Sequence, residues 1–178
     1  MAENQPTTER ARRLRRELLG WSALAIAALA IAGVFAFLLA LSRVPGIETV
    51  LPWPVGFFHK GLVIHVVFSF VVWFLAIFGA LALLAVGAMK GDQARFTILG
   101  TIGVWTTAIA LPLLFLPALL DRGEATLNNY VPTIIDPYYY IGLALLLVAL
   151  TASALRVLIN IKTANLARAP VAAATVAA

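Results

Sequence analysis

Four long stretches of this chain carry no Asp, Glu, Lys or Arg: Leu18–Ser42, Gly61–Met89, Phe96–Leu120 and Pro137–Leu155. A helix needs about 20 apolar residues to cross the ~30 Å hydrocarbon of a bilayer, so each stretch is a candidate span. The fourth is read as running on to Ile161, with Arg156 snorkelling to the nearby interface. Leu, Ala, Val and Ile fill all four without strict alternation, which selects helices over barrel strands. Of the 178 residues, 62% are hydrophobic and 12% charged. A soluble domain holds roughly 45–50% apolar and about 25% charged residues. The chain is therefore expected to be all-α, a four-helix transmembrane bundle with spans at about 18–42, 61–89, 96–120 and 137–161. Soluble enzymes, nucleic-acid modules and secreted disulfide scaffolds are excluded. With no Cys, so are disulfides, thiolate catalysis, iron–sulfur clusters and Cys-based zinc sites.

Basic residues set the orientation. Arg10, Arg12, Arg13, Arg15, Arg16, Lys90, Arg95, Arg156, Lys162 and Arg168 fall on one side of the spans, and Arg43, Lys60 and Arg122 on the other. The positive-inside bias places both termini in the cytoplasm. The first apolar stretch is too long for a signal-peptide core and is read as a retained helix. Residues 1–17 form a basic cytoplasmic segment, with anionic lipid as a secondary partner. Residues 162–178 form an Ala-rich tail expected to be disordered.

The two outer connections are rich in proline and aromatic residues. One holds Pro45, Pro52, Trp53, Pro54, Phe57 and Phe58; the other holds Asn128, Asn129, Tyr130 and Pro132. Both suit an interface or a partner surface. Asp136–Pro137 reads as N-cap and first residue of the fourth helix. Tyr138, Tyr139 and Tyr140 then form an outer aromatic belt.

Few residues carry chemistry. Of the two histidines, His59 sits at the outer mouth of the second helix and His65 lies inside the apolar stretch. His65 is about 6 Å below the start of that stretch, where a polar ionisable side chain needs a partner. Six residues of helix turn the two side chains ~120° apart, so they cannot share one metal. Gly61, Ser69, Ala76 and Gly79 continue the His65 stripe. Small residues there leave room for a flat macrocycle, or for a closely packed neighbouring helix. Haem iron takes axial ligands from His, Met, Cys or Tyr. Met89 is roughly 36 Å further along the same helix and cannot reach a haem at His65. A second ligand would have to come from another chain. Pro112 and Pro117 are read as ordinary membrane-helix prolines, Thr106 and Thr107 as bonded back to their own helix, and Trp73 and Trp105 as packing residues. No acidic residue falls within a span, which is unlike a proton-coupled transporter.

The stretch from Phe57, FFHKGLVIHVVFSFVVWFLAIFGAL, resembles the second helix of haem–copper oxidase subunit I, in its divergent bacterial branch. The segment from Leu127, LNNYVPTIIDPYYYIGLAL, resembles the start of the fourth helix in the same branch. The resemblance extends over about residues 18–161. It implies that His65 is an axial ligand of a low-spin haem. Val66 stands where the family usually has the Gly of a His-Gly pair. Later helices of subunit I supply the copper ligands, the high-spin haem ligand and the second low-spin haem ligand. Only the N-terminal four-helix portion is matched, so the resemblance implies no copper site in this chain and no oxygen reduction by it alone. It implies a respiratory electron-transport subunit of the bacterial inner membrane, sharing haem with membrane partners that carry the remaining helices. Two rivals stand beside it: a structural or assembly subunit without haem, and a homodimer bridging one haem between two copies of His65.

Overall fold

A computed structural model of the chain describes residues 5–47, 57–90, 94–127 and 132–161. Pro52, Trp53, Pro54, Asn128, Asn129, Tyr130 and the tail after Ile161 lie outside the described residues. The fold is an all-α bundle of four helices, each long and apolar enough to cross a membrane. The first is Gln5–Leu41, the second Phe57–Lys90, the third Thr97–Leu119 and the fourth Pro137–Ile161. The first, second and fourth helices extend into charged sequence beyond their uncharged stretches, whereas the third stops one residue short of its stretch at each end. Arg and Glu are good helix formers, and a helix continued past the hydrocarbon keeps its backbone bonds satisfied.

Two close approaches hold the bundle together. Trp21 on the first helix is 1% exposed. Its indole lies on Gly79 of the second helix and Gly103 of the third, so that a Cβ at either glycine would strike the ring. Replacing Gly79 by Ala is expected to lower stability by about 1–3 kcal/mol, the range for overpacking a filled core. Denaturation midpoints in detergent check this. At the inner connection, Arg95 N–H donates to Asn160 Oδ1 at 3.0 Å. Asn160 Nδ2 in turn donates to Arg95 O at 3.2 Å and to Arg156 O at 2.8 Å. One amide thus clips the connection to the fourth helix.

The opposite end is more ordered than an irregular loop. Strands β1 (Glu124–Thr126) and β2 (Thr133–Ile135) pair antiparallel. Gly123 enters the hairpin at φ +66, with Ile135 O against the position a Cβ would take. The three basic residues of this end are all engaged. Lys60 pairs with Asp121 at 2.6 Å. Arg122 pairs with Asp136 at 3.3 Å and covers the Tyr138 ring at 4.7 Å. Arg43 lies over Phe58 at 4.8 Å.

Asp136 caps the fourth helix as anticipated, its Oδ1 accepting Tyr138 N–H at 2.8 Å. Asp136→Ala should cost about 0.5–2 kcal/mol for the lost cap. It also frees Arg122, and a lowered thermal midpoint is the readout. The aromatic belt is only partly formed. Tyr138 and Tyr140 are exposed, but Tyr139 is wholly buried. Successive helical residues point about 100° apart, so three in a row cannot all face outward.

Candidate functional site

The second helix does not keep one geometry along its length. It is α-helical over Phe57–Val66, widens to a π-helix over Val67–Val72, and is α-helical again over Trp73–Lys90. Trp73 N–H reaches back to Phe68 O, five residues away. A π segment is rare and often marks a functional position. This one begins two residues after His65. Ser69 donates its hydroxyl to His65 O at 2.7 Å and to Val66 O at 3.2 Å, satisfying carbonyls at the junction.

His65 is half-buried. Its Nδ1 lies 2.9 Å from Ala32 O on the first helix. A carbonyl only accepts, so Nδ1 carries the proton and donates. In the neutral ring, Nε2 is then the atom with the free lone pair. Among the described residues no hydrogen bond engages Nε2. Gly33, beside Ala32, has no atom within 4 Å of the position a Cβ would occupy. The buried partner that a membrane histidine needs is therefore a backbone carbonyl, and the other ring nitrogen remains available.

The rest of the small-residue stripe serves packing. Gly61 is closed over by Leu39 and Phe35 of the first helix, and Gly79 by Trp21. Ala76 is fully buried. The room those residues leave belongs to the first helix. His59 is exposed, edge-on to Phe58 at 5.7 Å, and makes no common site with His65. Among the described residues no group of three or more His, Cys, Asp or Glu comes together.

The other expected residues fall where simple helix physics puts them. Thr106 bonds to Ile102 O and Thr107 to Gly103 O, each at 2.8 Å. The third helix runs unbroken through Pro112 and Pro117. Trp73 packs edge-on against Phe74 at 5.0 Å, whereas Trp105 faces outward at 65% exposure.

Arg156 corrects the sequence reading. It does not snorkel out of the bundle; it is 2% exposed and ion-paired to Glu17 of the first helix. Gly100 of the third helix makes the space, since a Cβ there would collide with both partners. Glu17, the partner of Arg156, stands one residue before the first uncharged stretch, Leu18–Ser42. It sits inside the first membrane-length helix segment, Arg12–Leu41. The signal was present in sequence: a carboxylate just before the first uncharged stretch and a guanidinium just after the fourth, at one membrane depth. Among the described residues, Arg156 Nε and Nη2 are buried without hydrogen-bond partners.

No family model matches the chain, and no solved structure matches it. It is 33% identical over 140 residues to an uncharacterized protein of Aquifex aeolicus (strain VF5). The match covers 78% of this chain and 33% of that relative. The chain thus spans about a third of the length of the curated relative it matches.

Proposed function

We propose that this chain is a multi-pass subunit of a respiratory, terminal-oxidase-like complex in a bacterial inner membrane. In this reading His65 holds a low-spin haem through Nε2, as one of two axial ligands. The observation that carries it is the asymmetry of the imidazole: Nδ1–H is fixed on Ala32 O at 2.9 Å, and Nε2 is unengaged. A ligating histidine commonly donates its other ring N–H to a carbonyl, which fixes tautomer and orientation and makes the ligating nitrogen more basic. The donor set fits one axial position. The second ligand would come from a partner, because Met89 is roughly 36 Å further along the helix and the His59 side chain points ~120° away from that of His65.

Haem supplies reversible one-electron transfer at its iron. This chain's residues do the positioning. Ala32 accepts the Nδ1–H bond that orients the imidazole, and Ser69 satisfies the carbonyl of His65. The relative from Aquifex aeolicus supports the bacterial setting. Its additional length is consistent with a larger assembly in which these four helices are one part.

A second reading rests on the same hydrogen bond. The His65–Ala32 contact also staples the second helix to the first, as a structural tetraspan subunit without haem would use it. Haem quantification on the tagged chain captured gently from its native membrane separates the readings. Haem copurifying with a further membrane chain supports the proposal. One haem per two copies of this chain, with no other subunit, points to a bridged homodimer. A complex that retains its partners and has no haem supports the structural reading.

A further inference from the structure

We propose that the groove between the first and third helices, at the basic end of the bundle, binds one anionic glycerophospholipid of the inner leaflet. The groove encloses about 660 Å³. Arg13 and Arg16 form one wall, Thr97 and Thr101 the other, and Val104 and Trp105 lie deeper toward the membrane centre. Arg13, Arg16 and Gly20 share a face of the first helix because they are three, four and seven residues apart. The helices close at the floor, where a Cβ on Gly20 would stand 2.9 Å from Val104 Cγ1.

The chemistry is graded along the groove. Among the described residues no carboxylate is ion-paired with Arg13 or Arg16. Glu17, which also borders the groove, is taken by Arg156. The mouth therefore carries two guanidiniums outside any ion pair of the described residues, facing two threonine hydroxyls, with Glu9 and Arg12 beside them. Guanidinium groups bind phosphate oxygens in bidentate fashion. Below them the wall is apolar, and Trp105 is 65% exposed. A free phosphate answers only the mouth. A lipid with an anionic headgroup answers both parts, its phosphate on the arginines and an acyl chain along Val104 and Trp105. Basic residues at the cytoplasmic interface attract anionic lipid in general; the groove adds a fixed position.

The test is native mass spectrometry of the full-length protein in neutral detergent, with phosphatidylglycerol or phosphatidylcholine added. The wild-type protein is expected to retain one phosphatidylglycerol in preference to phosphatidylcholine. Arg13→Gln with Arg16→Gln should lower that retention roughly tenfold or more. Arg15→Gln with Lys90→Gln removes the same charge at the same end of the bundle from residues that do not line this groove, Arg15 lying about 200° round the helix from Arg13. That control should retain the lipid. Equal loss in the two double variants overturns the site in favour of a diffuse basic surface. Equal retention of the two lipids overturns the role of the arginines. Displacement of the lipid by inorganic phosphate alone overturns the part assigned to the acyl chain.

Discussion

On the proposed function, replacing His65 by alanine should remove the low-spin haem band completely, because among the described residues no other side chain is placed to substitute for Nε2. The alanine variant also loses the bond from Nδ1 to Ala32 O, 2.9 Å long. That bond is worth about 0.5–1.5 kcal/mol, so assembly should fall as well. His65→Asn separates the two effects. The asparagine amide carries N–H donors that take the place of Nδ1–H toward Ala32, but it offers no imidazole lone pair. The expected pattern is assembly restored toward wild type with the haem band still absent. A haem band that persists in both variants would assign His65 to packing alone.

The largest loss of stability should come from Arg156→Met. It leaves the Glu17 carboxylate inside the bundle without its partner, and breaking a buried pair in this way typically costs about 3–5 kcal/mol. The side chains are 2% and 10% exposed, so water does not readily take over. Changing both residues, as Glu17→Leu with Arg156→Met, removes both charges together. Apolar replacement of a whole buried pair is often neutral or stabilising, so the double variant should recover most of the loss. Unfolding midpoints of the two variants against wild type give the answer. A change within about 1 kcal/mol for Arg156→Met would mean a pair that behaves as though exposed to solvent.

The helices were legible because charge is so unevenly distributed. Four uncharged stretches mark four spans, and the largest departure is at the N-terminal end of the first helix, where Arg and Glu extend a helix that the bilayer no longer requires. The Asp136 cap was legible for the same local reason, a short acceptor followed by proline. What sequence left open depends on neighbours. Gly61 and Gly79 read equally well as space for a macrocycle or for a helix. The ring of Trp21 and the side chains of Leu39 and Phe35 decide for the helix. Tyr139 looked like its two neighbours until the helix turned it inward. Arg156 looked like an interfacial cation because its partner lies 139 positions away in the chain. The π-helix over Val67–Val72 has no hydrophobic-period signature, and it was invisible in the sequence.

The candidate site was legible in part. His65 stood out as a polar residue within an uncharged stretch. That its Nδ1 is committed to Ala32, leaving Nε2, depends on how the first helix lies against the second.

The most direct test of the central claim is a reduced-minus-oxidised visible spectrum of the complex captured on this chain from its native membrane. The account predicts a low-spin haem band that copurifies with the chain and is missing from the His65→Asn complex. A spectrum with no haem band, from a complex that still holds its partner subunits, would contradict it.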